Sequence, residues 1–192
     1  MPKTAYHHGD LRQALVDAAL DVMMRDGLPD FTLARAAKAA GVTPAAVYRH
    51  FTDRRDLLAE VARQGHERLA FLTSHAENTA DPATAILDYA GAFSDFVRSF
   101  PGHFCAMSPG IVPTDQTALL ADAVARSDAI LMRLCVRLGE ASGAELPPED
   151  IARHIQVLCR GLVQSPCDTQ GDTLRSALAV YLRGLGLSPP IR

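Results

Sequence analysis

Residues 32–57, TLARAAKAAGVTPAAVYRHFTDRRDL, constrain this chain more than any other stretch. Thr32 suits the N-cap of a helix reaching about Ala40, and Gly41 supplies the positive φ that a tight turn between helices needs. Thr43 caps the next helix, with Pro44 at its first position, where a missing N–H costs nothing. Asp53 caps a longer helix beginning near Arg54. Ala36, Ala37 and Ala40 keep the first of these helices thin, so that the second can cross it closely on Val42, Val47 and Phe51. The spacing predicts a helix-turn-helix whose second helix carries Tyr48, Arg49 and His50.

The polar residues of that segment sort into two roles toward double-stranded DNA. The helix start at Thr43-Pro44 presents unpaired N–H groups and a positive dipole end that favour a phosphate. Ala45 and Ala46 are small enough to approach base edges, and Arg49 is the long donor able to reach guanine O6 and N7. Tyr48, His50, Arg54 and the hydroxyl of Thr32 suit backbone phosphates. Phosphate contacts position such an element, whereas base contacts specify sequence.

Net charge is −3, which by itself argues weakly against a nucleic-acid partner. The distribution matters more: the first 68 residues hold ten Lys/Arg against nine Asp/Glu, and the remainder nine against thirteen. Nearly half the residues are apolar, so a buried core is expected rather than disorder. No cationic segment leads into an apolar run and no stretch approaches the span of a membrane helix, so a cytoplasmic protein is expected. Cys105, Cys135, Cys159 and Cys167 lack a close CxxC pair, which suits reduced thiols.

The rest of the chain also reads as helices. Leu11, Leu15, Ala18 and Val22 recur at helical spacing behind Asp10, an expected N-cap, with Gly27 as the stop. The fourth helix is expected from Arg54 to about Asn78, and Asp81-Pro82 opens another that Pro101-Gly102 breaks. After a short segment, His103–Met107, and a loop, a long helix is expected from about Thr114 to Glu140, then two more over about Pro148–Gln164 and Asp172–Leu185. The expected fold is all-α: an N-terminal three-helix DNA-binding domain over 1–53, then a C-terminal helical bundle over 54–192.

The pattern Leu15, Ala18-Ala19, Gly27, Phe31-Thr32, Ala36-Ala37, Gly41-Val42, Tyr48, His50-Phe51, Arg54 and Leu57 resembles the TetR family of transcriptional regulators over roughly the first third of the chain. Ala36 stands where that family usually has isoleucine, Ala45 where glycine is common, and Arg54 where lysine is typical. The segment Phe93–Met107 and the opening Tyr6–Arg12 look like parts of one broad group of the family. The resemblance implies a homodimer joined by its last two helices, through seams of Ile151, Ile155, Leu158 and Leu162 and of Leu174, Leu178, Tyr181, Leu182 and Leu185. Periodicity alone fits those seams equally to intramolecular core. It also implies a small, largely apolar effector bound in the C-terminal part, for which Phe93, Phe96, Phe100, Phe104, Met107 and Met132, with His103 or His154 as polar tether, are the candidate lining. Such residues are more often plain core. The expectation is a repressor that binds a palindromic operator and is released by its effector, acting through the fourth helix.

Other constellations are weaker. His7 and His8 diverge on a helix and make a poor metal pair, and His103 with the cysteines lacks the local ligand pairs of zinc sites. No metal or cofactor is expected. A nucleophile elbow, phosphate loop or HExxH motif is missing, so an enzyme is the weaker alternative, beside an all-helical protein-binding adaptor.

Overall fold

The computed structural model describes residues 8–143, 145–163 and 172–187, and no strand occurs among them. Helices run α1 His8–Asp26, α2 Leu33–Ala39, α3 Pro44–Val47, α4 Arg54–Thr73, α5 Pro82–Ser99, α6 Pro101–Ala106, α7 Ala118–Ser142, α8 Pro148–Val163 and α9 Asp172–Gly184. A 3₁₀ helix, Ser74–Asn78, extends α4 to the residue expected from the sequence. The chain is all-α.

Most helix starts follow from local capping. Asp56 N–H donates to Asp53 Oδ1 (2.9 Å) at the start of α4, and Thr84 N–H to Asp81 Oδ2 (2.7 Å) at the start of α5. α7 begins later than Thr114 because the working cap is Thr117, whose Oγ1 accepts from Leu120 N–H at 3.1 Å. α1 differs in the other direction: it already includes Asp10, which therefore stands inside the first turn rather than at the cap.

Two compact units result, Met1–Gly65 with Phe100–Ala123, and His66–Ser99 with Val124–Arg192. In the first, α1 packs on α2 and α6, and α2 on α3. Leu15, Val16, Ala19, Val22, Phe31, Ala36, Val47, Phe51, Leu57 and Leu58 are buried there. Gly41 turns the chain from α2 into α3 at φ +68°, a conformation that side chains with a Cβ rarely adopt. Gly65 serves a different need: a Cβ on it would lie 2.5 Å from Met107 Sδ, so the last turn of α4 in this unit must stay bare.

In the second unit α8 and α9 pack on each other and on α5. This decides the two apolar seams. Ile151, Ile155, Leu174, Leu178 and Leu182 are buried within the chain, against its own helices. Leu158, Leu162, Tyr181 and Leu185 are half-buried, and Val157 and Val180, outside the seams, stand exposed. Half of the α8 seam and three of the five residues of the α9 seam are therefore intramolecular core, because α5 supplies the apolar face that these helices must cover.

Candidate functional site

Both helices of the helix-turn-helix start on threonine. Thr32 Oγ1 accepts from Arg35 N–H (3.2 Å) and Thr43 Oγ1 from Ala46 N–H (3.3 Å). A hydroxyl that accepts in this way keeps its own proton to donate outward. Both threonines are exposed.

α3 is a single regular turn, shorter than the sequence suggests. Its C-cap is Tyr48, and Tyr48–His50 follow as turns in which His50 and Phe51 N–H both donate to Val47 O. The reason is Phe51, which is buried and must reach the core before Asp53 caps α4, so the chain leaves the helix early. Within 44–49, Pro44, Ala45, Tyr48 and Arg49 are exposed, while Val47 is fully buried and fixes the turn to the core. Ala46 and His50 are half-buried. These are the proportions of a short element anchored by one side chain and offering the others to a partner.

Arg54 is used differently from the expectation of a plain phosphate holder. It donates from Nε to the Phe31 carbonyl (3.0 Å) and from a terminal nitrogen to the Leu28 carbonyl (2.8 Å), and its guanidinium lies 5.8 Å from the centre of the Phe31 ring. Two of its five N–H groups therefore hold the α1–α2 connection, and the residue remains exposed. A lysine ammonium lacks the planar fork for this.

A buried acid, not singled out from the sequence, ties α1 to α4. Glu60 is 6% exposed and pairs with Arg12 (3.0 Å) and Arg63 (2.6 Å), while Gln64 donates to both Glu60 Oε1 and Gln13 Oε1 (3.0 Å each). Burial raises its carboxyl pKa, but hydrogen bonds from Arg63, Gln64 and Arg12 outweigh burial and bring it down to about 2. Arg12 also stacks on Phe51, 4.9 Å from the ring centre. The aromatic residue that ends the reading turn is thereby tied to α1 as well as to the core.

The second unit encloses a cavity of about 20 Å³. His66 and Leu69 of α4 line it, with Tyr89 and Phe93 of α5, Asp128 of α7, and Gln156, Cys159 and Arg160 of α8. Of the eight residues expected to line an effector site, Phe93 is among these. Phe96, Met132 and His154 belong to the same unit, whereas Phe100, His103, Phe104 and Met107 belong to the other. His154 is exposed on α8, where its Nδ1 lies 3.1 Å from the Tyr181 hydroxyl. The polar members of the cavity, His66 above all, have no motif around them and were not anticipated.

Cys135 and Cys159 are buried, and burial pushes both thiols up to about 12, which keeps them protonated and unreactive. Cys105 is half-buried, and His7 and Cys167 lie outside the described residues. Among the described residues no three His, Cys, Asp or Glu side chains gather to hold a metal ion, and no helix is long and apolar enough to cross a membrane.

Residues 15–61 match the sequence model of a family described as bacterial regulatory proteins, tetR family. An uncharacterised HTH-type transcriptional regulator of Pseudomonas putida, TtgW, is 46% identical over 59 residues, which are 31% of this chain and 44% of that protein. The alignment thus spans less than half of that relative's length. A second uncharacterised HTH-type regulator, YobS of Bacillus subtilis, is 25% identical over 184 residues, covering 92% of this chain and 93% of its own. The TetR family transcriptional regulator PfmR of Thermus thermophilus shares the fold, with a TM-score of 0.72 at 19% identity over 88% of this chain and 97% of its own. Residues 15–61 thus carry the sequence of the tetR family of bacterial regulatory proteins, and the chain along most of its length has the fold of a TetR family regulator.

Proposed function

We propose that the protein is a ligand-responsive transcriptional repressor that binds a palindromic operator as a homodimer. The observation that carries this reading is the pair of threonine-capped helices across Gly41, with Pro44, Ala45, Tyr48 and Arg49 exposed and Val47 buried beneath them. Arg49, with the small surface of Pro44, Ala45 and Ala46, reads base edges. Thr32, Thr43, Tyr48, His50 and the N–H groups that Arg54 does not spend on carbonyls hold phosphates. Division of labour falls between residues 1–53, which bind DNA, and 54–192, which bind effector and the second copy.

Dimerisation uses what the α8 and α9 seams leave outside: Val157, Gly161 and Val180, with the half-buried Leu158 and Leu162 beside them. A two-fold protein mirrors two-fold DNA, hence the palindrome. A small, largely apolar effector in the C-terminal part shifts α4, and operator affinity falls by the effector's differential affinity for the two arrangements. The test is a mobility shift on DNA from upstream of the gene, at low salt and without effector. Salt-dependent binding of two chains per site is the expected result. No retardation at micromolar protein would remove the reading.

A further inference from the structure

Glu60 holds more positive charge than it needs. Arg63 grips both of its carboxylate oxygens, from Nε to Oε2 (2.9 Å) and from a terminal nitrogen to Oε1 (2.6 Å). Gln64 adds a third donor, to Oε1 at 3.0 Å. One guanidinium on one carboxylate already balances the charge, and a carboxylate accepts about four hydrogen bonds. Arg12 of α1 arrives at Oε2 (3.0 Å) as a second guanidinium. The Glu60 carboxyl, with its pKa brought down to about 2, stays charged throughout the neutral range. Charge balance at Glu60 therefore leaves Arg12 without an explanation.

The explanation lies in its other contact. The Arg12 guanidinium carbon stands over the Phe51 ring, 4.9 Å from its centre. A planar guanidinium can turn its face to a ring while its edge donates to a carboxylate, whereas an ammonium is a compact point charge. Phe51 is 1% exposed, and its N–H closes the turn by donating to the Val47 carbonyl at 3.0 Å, beside the His50 N–H at 2.9 Å. Tyr48, Arg49 and His50 thus hang between two anchors, Val47 and Phe51. Val47 is fully buried and is held by packing alone. Phe51 is held by packing and, across its ring, by a cation that Glu60 holds in place.

We infer that Arg12 is a positioning residue for DNA reading: seated between the Glu60 carboxylate and the Phe51 ring, its guanidinium fixes the far end of the turn that carries Arg49. This rests on the reading of Tyr48–His50 as DNA-facing. Arg12 touches no base in this scheme and acts through Phe51. A binding constellation discriminates only when it is held to within about 0.5 Å, and a three-residue turn with one loose end is not so held. Loss of Arg12 therefore removes base preference while leaving the general attraction for DNA.

The experiment uses the full chain. A preferred duplex is selected from a random pool with the parent protein, and binding to it is compared with binding to a scrambled duplex of the same length across a salt series. Urea unfolding of each variant runs alongside. Arg12→Gln should lower the ratio of preferred to scrambled affinity about tenfold, the scale of one bidentate base contact, with the salt slope on the scrambled duplex unchanged. Arg12→Lys should lower it nearly as far, because an ammonium does not serve ring and carboxylate together. Glu60→Gln should also lower it, and Arg12→Gln/Glu60→Gln should lose no more than the larger single loss, since the two side chains act as a unit. If Glu60→Gln does not fold, the two Arg12 variants decide alone. An equal loss on both duplexes, with the salt slope reduced by about one, would make Arg12 a phosphate contact and overturn the proposal. An unchanged ratio with only a lower urea midpoint overturns it too, as do full recovery by lysine and additive losses in the double variant. A parent that selects no duplex removes the DNA-facing reading itself and this inference with it, a result distinct from a selective parent whose Arg12→Gln variant is equally selective.

Discussion

Arg54 Nε donates to the carbonyl oxygen of Phe31 across 3.0 Å, which fastens the start of α4 to the residue just before the cap of α2. The same guanidinium also reaches the Leu28 carbonyl, so the loop between α1 and α2 is held by a residue of the DNA-reading segment. Loss of Arg54 therefore has two separable effects. Arg54→Ala should lower stability by about 1–2 kcal/mol in urea unfolding and weaken binding to every DNA sequence alike, with the salt slope reduced by about one. Arg54→Lys should recover the salt slope but not the stability, since an ammonium keeps the charge without the fork.

Arg49 should behave in the opposite way. Its side chain is exposed on the turn after α3. Arg49→Ala should cost about 1–3 kcal/mol on the preferred sequence, relax discrimination at one position in each half-site, and leave the melting temperature unchanged. Selection of binding sites from a random pool reads this directly. A uniform loss across sequences would place Arg49 among the phosphate contacts.

Acid should destabilise the fold in two stages. His66, lowered to about 4, stays neutral in the folded chain while the unfolded chain takes a proton near 6.5, so stability falls as pH drops from about 6.5 to 4. Glu60, lowered from 4.5 to about 2, contributes stability that is present above about 4.5 and lost as pH falls toward 2. Thermal melts across this range should show both limbs. His66→Gln should flatten the upper one and Glu60→Gln the lower.

Gly65→Ala tests the close approach of α4 and α6 within the first unit. The added methyl would stand 2.5 Å from Met107 Sδ, and the flexible methionine can yield only in part. Destabilisation of about 1–3 kcal/mol is expected, with partial recovery in Gly65→Ala/Met107→Ala, measured by urea midpoints.

Val157→Glu probes the proposed contact between copies. Val157 is 66% exposed on α8 and supports no core, so the variant should fold normally. Sedimentation should then report a monomer where the parent is a dimer, and operator affinity should fall with it. A dimer that survives this charge would move the interface elsewhere.

What could be read in advance was local. Thr32, Thr43, Asp53 and Asp81 announce helix starts because a cap acts within three residues, and the side chains do bind those N–H groups. Gly41 is legible for the same reason. Long-range polar partners are not: Arg54 reaches back 23 and 26 residues, and His66 finds Ser127 61 residues away. Such pairs leave no spacing in the sequence. The α8 and α9 seams show a third situation, since periodicity declares an apolar face without naming what covers it, and here α5 covers most of it. The same blindness scattered the expected aromatic lining over two units, while the cavity drew its lining from four separate helices.

The brevity of α3 has a consequence for how much an operator must spell out. One helical turn advances about 5.4 Å, little more than one and a half base-pair steps of about 3.4 Å. On the reading proposed above, a single copy would inspect too few letters to find an address in a genome, however well Arg49 fitted its base. Discrimination in the proposed dimer would then come from repetition: two short readings at a fixed distance, and a DNA stiffness that makes that distance hold. The length of such a message would lie in the spacing between copies, and a change of spacing would erase it without touching a single contact.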